Sequence, residues 1–317
     1  MARRGVLVYS NRMAKKAHRA VFADPKLDLP FKKVFGTREH KDLLIELLNA
    51  LLRLPDEARI VDLEYLSGEQ LPAFDGLKLS ILDVKCTDAR GVRYVVEMQV
   101  FPVEGFEKRV VLNASKAYVE QLESGDAYTQ LSDVVAVTIC NFARFGKKVP
   151  MLSRWRMREE ESQEAGLSQI QYVFLELAKY DKKRRPKTVV EKWAYYFREA
   201  AQLTEVPAEL AEGPFAKALD VVRRVNFTEA EWTEYERSKM AEQDYQGGLT
   251  MARKEGVEQG QAQGKAQSIL VVLEARGVKV PADVQAQILG CKDEALLERW
   301  LQRAVTAPDV ATVVRSG

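Results

Sequence analysis

Asp83 and Glu97 are the residues whose types and spacing point to metal chemistry. They stand in LSILDVKC (Leu79 to Cys86) and VRYVVEMQVF (Val92 to Phe101), two β-rich runs around a turn rich in Asp and Gly, a pattern that predicts an antiparallel hairpin. If the hairpin closes with Thr87 opposite Arg93, Asp83 falls directly across from Glu97. Cross-strand Cβ atoms lie about 4.5–5.5 Å apart, and like charges at that separation destabilise the pair unless something positive intervenes. A divalent cation is the natural candidate. Hard oxygen ligands suit Mg²⁺, Mn²⁺ or Ca²⁺, with water and a substrate phosphate in the remaining positions. Such an ion lowers the pKa of bound water and neutralises charge as a phosphodiester bond breaks. Strand alternation places Lys85 and Gln99 on the side of the acids, where either could orient an attacking water and only the lysine could add charge. Leu82, Val84, Cys86, Val96, Met98 and Val100 point the other way, so one face reads as polar and the other as apolar. The bland alternative is a solvent-facing sheet with ordinary polar decoration. Against it, Ile81 and Val95 share the polar side, which makes that side partly buried, and buried carboxylates need partners or metal.

The elements that must hold this hairpin are also legible. EHKDLLIELLNALLRL (Glu39 to Leu54) reads as a helix with Leu43, Leu47, Ala50, Leu51 and Leu54 on its apolar face and Asp42, Glu46, Asn49 and Arg53 on the polar stripe. RVVLNASKAYVEQLESG (Arg109 to Gly125) follows the hairpin as a second helix. VVAVTICNF (Val134 to Phe142) is a β-branched run typical of a strand buried on both faces, and QYVFLEL (Gln171 to Leu177) repeats it. The order predicts an α/β core, a mixed sheet flanked by helices, over residues 27–180. Before it stands a basic arm, residues 1–26, with Arg3, Arg4, Arg12, Lys15, Lys16 and Arg19 ahead of the first acid, Asp24. After it the basic connector DKKRRPK (Asp181 to Lys187) opens a helical extension over 181–246, in which Trp193, Tyr196 and Phe197 have the spacing of core aromatics. Gly248, Ala252, Gly256, Gly260 and Gly264 then recur every fourth residue, so residues 247–267 read either as a helix with a self-association stripe, a route to a homo-oligomer, or as a flexible linker. Residues 268–317 form a small helical cap with Leu270, Leu273, Leu289, Leu296, Leu297, Trp300 and Leu301 on its apolar positions.

Composition narrows the setting. The 317 residues are 46% hydrophobic and 30% charged, which fits a folded globular chain, and Lys+Arg at 48 against Asp+Glu at 46 excludes a strongly basic coat protein while leaving room for a local basic groove. Cys86, Cys140 and Cys291 lie far apart, so neither a disulfide framework nor a structural zinc site is indicated, and a reducing, cytoplasmic setting is expected. His18 and His40 are the only histidines, which removes multi-His metal cages and most His-based catalysis. No apolar run approaches the length of a membrane span and the N-terminus has no signal-peptide apolar region.

Several of these motifs together resemble a known family. DLPFKKVFG (Asp28 to Gly36), LLIELLNALL, SILDVKCTDARGVRYVVEMQ and the later Arg109, Tyr118, Gln121, Gly125 and Tyr128 are similar to the PD-(D/E)XK nuclease family transposases, the Rpn-type recombination-promoting nucleases. The resemblance is strongest over Leu27 to Phe142, looser through EKWAYYF and the glycine-periodic segment, and weak beyond Ser268. It implies a restriction-endonuclease-like fold and metal-dependent DNA cleavage, with Mg²⁺ as the expected ion, in recombination, transposition or defence against foreign DNA. It places Asp83 at the metal-binding aspartate and Glu97 at the acid of the (D/E)-x-K signature, with Glu46 as a third acidic ligand. The departure is Gln99, where the signature calls for lysine. Glutamine can align a water but carries no full charge. Lys85 could supply that charge; otherwise the site is a decayed, binding-only one. Lys32 and Lys33 are candidate phosphate contacts or plain solvated lysines, and Gln121 is either a contact to the site or to the nucleic-acid backbone, or a helix-to-sheet hydrogen bond.

Overall fold

The computed structural model describes residues 21–70 and 80–315. The basic arm's Arg3, Arg4, Arg12, Lys15, Lys16 and Arg19 lie outside the described residues, as does the side chain of Ile81. The chain divides into two compact units, Met1–Ser238 and Lys239–Gly317.

The first unit opens with α1 (Asp28–Phe35) and α2 (Lys41–Leu52). Gly36 closes α1 at a close approach, because a Cβ there would stand 2.9 Å from the Lys32 carbonyl oxygen. Along α2, Leu43, Leu44, Leu47, Leu48, Leu51 and Leu52 are buried at helical spacing. Strands β1 (Leu63–Tyr65), β2 (Glu69–Gln70), β3 (Ser80–Ile81), β4 (Val84–Asp88) and β5 (Arg93–Gln99) come next, then α3 (Phe106–Val119), β6 (Val134–Cys140), β7 (Leu152–Trp155) and β8 (Ile170–Glu176). Six of the strands form one mixed sheet in the order β1-β4-β5-β6-β8-β7. The pairs β1/β4, β4/β5 and β7/β8 are antiparallel; β5/β6 and β6/β8 are parallel. Strands β2 and β3 pair with each other in a separate ribbon. Strand β6 lies in the interior of the sheet and every one of its residues is buried, as its unbroken apolar run requires.

Helices cover both faces of the sheet. On one side Val84, Cys86, Val96, Val137, Ile139 and Leu175 pack in a single cluster with α1 and α2 and with two later helices, α4 (Val189–Glu199) and α5 (Gly213–Val221). On the other, Val95, Val134, Ala136 and Phe174 meet Phe106, Val110, Ala114 and Ala117 of α3. Of the two readings of the acid-bearing face, the structure has the partly covered one, with α3 packed on it. The layering also corrects two expectations. Leu82 does not side with Val84: the chain bends at Asp83 before β4 begins, the alternation breaks there, and Leu82 joins the α3 cluster. Nor does the structure divide after Tyr180. Trp193, Tyr196 and Phe197 are buried in the same cluster as Phe31, Phe35 and the sheet, so residues 181–187 form a solvated turn inside one unit. Helix α4 is fixed by a capping box in which Thr188 and Glu191 bond each other's backbone, and Arg198 donates to the Leu177 carbonyl at the end of β8.

The unit ends in the first turns of α6 (Glu229–Ala275), where Trp232 and Tyr235 are buried. The second unit takes Ala262, Ala266, Ile269 and Leu273 from the later part of α6 and packs them with α7 (Ala282–Gly290), α8 (Glu294–Ala304) and α9 (Val310–Val314) around Leu297 and Trp300. Leu289, expected in this core, is 45% exposed. Asp293 and Asp309 cap α8 and α9 by accepting from the Leu296 and Thr312 backbone N–H groups.

Of the two readings of residues 247–267, the structure has the helix. A Cβ added at Gly248, Gly256, Gly260 or Gly264 would meet nothing within 4 Å. Gly256→Ala is therefore expected to stabilise α6 by roughly 0.8–1 kcal/mol, read as a raised denaturation midpoint. A lowered midpoint would show that the glycine is needed for a close contact. Although α6 is long, no helix among the described residues is both long and apolar enough to cross a membrane.

Candidate active site

The β4/β5 ladder pairs Thr87 with Arg93 and runs through Cys86–Tyr94 and Lys85–Val95 to Val84–Val96. Asp88 fixes the turn: its Oδ1 accepts the backbone N–H groups of Arg90 and Val92, and its Oδ2 accepts the Tyr94 hydroxyl and the Arg90 guanidinium. Gly91 completes it at φ +83°, a backbone region that favours glycine.

One step beyond the ladder, Asp83 Oδ2 accepts the backbone N–H of Met98 at 2.7 Å, which brings its carboxylate beside the Glu97 peptide. Glu97 is 9% exposed and its Oε1 accepts Asn113 Nδ2 of α3 at 2.6 Å. Burial pushes the Glu97 carboxyl above its ordinary range and the Asp83 charge pushes it further, while Arg109 and the Asn113 bond oppose the shift. Asp83 is likewise held high by burial, against the Met98 N–H; Asp28 adds to the rise, and Lys32 and Arg109 counter it. The hairpin thus gathers two acids that are costly to ionise together without a cation.

Gln99 is close by and bonded at both ends of its amide. Its Nε2 donates to the Phe101 carbonyl at 2.8 Å and its Oε1 accepts from the Arg109 guanidinium. Lys85 shares the face but serves another partner: its ammonium pairs with Glu120, just past α3, which also bonds Arg93. Burial and the nearby Arg93 charge bring Lys85 down to about 8, and the Glu120 carboxylate favours its charged form. The expectation that Lys85 serves the acids is corrected accordingly, since its reach is spent on Glu120.

Glu46 is also not gathered. Among the described residues no group of three or more His, Cys, Asp or Glu could hold a metal ion together. Helix α2 packs on the face opposite α3, and the neighbours of Glu46 on its stripe bond elsewhere, Asp42 to Lys217 of α5 and Asn49 to the Ile60 backbone. Lys32 pairs with Asp28 at 2.8 Å and reaches the site through its field on Asp83. Lys33 pairs with Glu231 at 2.6 Å and lies 4.9 Å over the Phe227 ring, a structural tie to the start of α6. Gln121, just past α3, ties to the loop ahead of β6: its amide donates to the Ser132 carbonyl and accepts the Ser132 N–H.

A family model for PD-(D/E)XK nuclease family transposases matches residues 25–252, more than two thirds of the chain. The chain belongs to the PD-(D/E)XK nuclease family transposases. No curated protein and no solved structure matches it. The six-stranded mixed sheet between helices is consistent with the restriction-endonuclease-like fold, and membership supports a nuclease-type function, in a family that usually uses divalent metals. The match covers the hairpin, α3 and Asp28 but stops inside α6, ahead of the second unit's core.

Three residues of this site were absent from the sequence reading of it: Arg109, Asn113 and Asp28. Arg109 and Asn113 stand at i and i+4 beside the apolar stripe of α3, a spacing visible in the sequence, but the register of α3 against the sheet is not.

Proposed function

We propose that this PD-(D/E)XK nuclease family transposase is a divalent-metal-dependent DNA endonuclease, with Asp83 and Glu97 as the metal ligands and Mg²⁺ as the preferred ion, acting in recombination, transposition or defence against foreign DNA. The observation that carries the reading is the pair itself: a buried Glu97 and a half-buried Asp83 at the end of one hairpin, near enough that the Asp83 charge acts on Glu97, each raised by burial. Two carboxylate ligands fit the way Mg²⁺ is bound, through one or two acids with waters and substrate phosphate completing the shell. When bound, the ion would supply charge neutralisation at the phosphate and a more acidic water.

The remaining work falls to the chain's own groups. The Met98 N–H holds the Asp83 carboxylate, and Asn113 holds Glu97 through one oxygen. Hydrolysis then joins a water oxygen to phosphorus and breaks the bond to the leaving sugar oxygen, which takes a proton. A second reading, a decayed DNA-binding module, draws on Gln99, which stands where the signature has lysine and whose amide is already tied to protein groups at both ends.

Plasmid nicking separates the two. The parent chain is expected to nick supercoiled DNA with Mg²⁺ or Mn²⁺ and to stop on chelation, and Asp83→Ala is expected to be inactive. Retained DNA binding with no nicking under either ion would favour the decayed module, and nicking that survives both Asp83→Ala and Glu97→Ala would place the chemistry elsewhere.

A further inference from the structure

We propose that Arg109 supplies from α3 the positive charge that the family's signature lysine would carry, and that Gln99 is the residue that positions it. The inference rests on the nuclease reading above and extends it to the residue that meets the scissile phosphate.

The amide of Gln99 lies between Phe101 and Arg109. Its Nε2 is committed to the Phe101 carbonyl, so its Oε1 must point the other way, and there the Arg109 guanidinium donates to it. A lysine at position 99 would offer no acceptor and would repel Arg109. The departure from the signature and the placement of the arginine are therefore two halves of one arrangement. Arg109 lies in the first turn of α3, and Asn113, one turn further on the same helix, holds Glu97, so a single helix face serves both. The charge of Arg109 reaches both acids, lowering Asp83 and Glu97 alike. Among the described residues its guanidinium forms no ion pair within 4.0 Å, and it is exposed beside the Phe106 ring at 6.0 Å. A planar, permanently charged fork with free donors suits the non-bridging oxygens of a phosphate better than a lysine's point charge does. Arg109 is the catalytic residue in this arrangement, stabilising negative charge as it grows on the phosphate, and Gln99 acts through it.

The test measures single-turnover nicking, Mn²⁺ affinity and melting temperature for the full-length parent, Arg109→Ala, Gln99→Lys and the double variant. Arg109→Ala is expected to slow cleavage by roughly 10²–10³-fold at saturating Mn²⁺, acting on kcat more than on KM. Its Mn²⁺ affinity should hold or rise, since a cation beside the acids is gone, and its melting temperature should stay within a degree or two of the parent, in keeping with an exposed site. Gln99→Lys placed in the Arg109→Ala background is expected to recover at least a tenfold share of the loss by returning charge to the signature position. A parent that nicks and an Arg109→Ala that nicks equally well would overturn the inference alone. So would a loss of Mn²⁺ binding in step with cleavage, which marks a structural role, or a double variant no faster than Arg109→Ala. A parent that does not nick with any ion removes the nuclease reading and this inference together.

Discussion

Glu97→Gln is expected to lower cleavage by about three orders of magnitude while making the protein more stable at neutral pH. The loss follows from removing one of the two carboxylates proposed to hold the ion, whose charge stabilisation amounts to several kcal/mol, each 1.36 kcal/mol being about tenfold in rate. The gain follows from the environment of the side chain. Glu97 is buried beside Asp83, and burial first and Asp83 second raise its pKa in the folded protein. A carboxyl whose folded pKa lies above its unfolded value binds more protons when folded, so its stability contribution is present below the unfolded pKa and is lost as pH rises through the folded one. The cost to the parent grows as pH rises from the ordinary carboxylate range towards the folded value. Glutamine keeps an acceptor for Asn113 and carries no charge. The melting temperature of Glu97→Gln should therefore exceed that of the parent at pH 7–8, and the gap should close as pH falls below the ordinary carboxylate range. A variant less stable than the parent at neutral pH would mean that the ionised pair is already compensated in the metal-free protein.

Trp193→Ala is expected to cost about 3–5 kcal/mol of stability, the range for deleting a large buried aromatic. Trp193 is fully buried, with its ring centroid 5.7 Å from Phe35, 5.7 Å from Tyr196 and 4.9 Å from Phe215, so it joins α1, α4 and α5 at one point. Helix α1 also carries Asp28 and Lys32, whose charges act on Asp83. The substitution should therefore loosen the site as well as the core, visible as a lower urea midpoint together with weaker nicking. Trp193→Phe, which keeps a ring in the cavity, should lose much less. An alanine variant within 1 kcal/mol of the parent would mean that residues 181–221 are not part of the first unit's core.

The parts that could be read from sequence are those fixed by local geometry. A short turn between two β-rich runs leaves few registers, and the pairing of Thr87 with Arg93 follows from the positions of Asp88 and Gly91. The apolar run of β6 and the helical spacing of Trp193, Tyr196 and Phe197 carry their burial in the same way. What escaped depends on where distant elements dock. Lys85 shares a face with Glu97, yet its side chain is claimed by Glu120, which only the end of α3 brings near. Gln121 is consumed by the Ser132 backbone ahead of β6. Leu82 changes sides because one bend at Asp83 resets the period-two pattern, and a single aspartate within a β-rich run does not by itself fix where the strand bends. The basic run 181–187 looks like a linker because it is charged, but the aromatics that follow it return the chain to the same core.

The most direct measurement is calorimetric titration of the full-length, DNA-free protein with Mn²⁺ at two pH values, alongside the Asp83→Asn, Glu97→Gln double variant. The parent is expected to bind the ion through the paired acids, more tightly and with less proton release at the higher pH, and the double variant is expected not to bind it in the same range. Equal affinity in parent and double variant would contradict the claim that these two carboxylates form the metal centre.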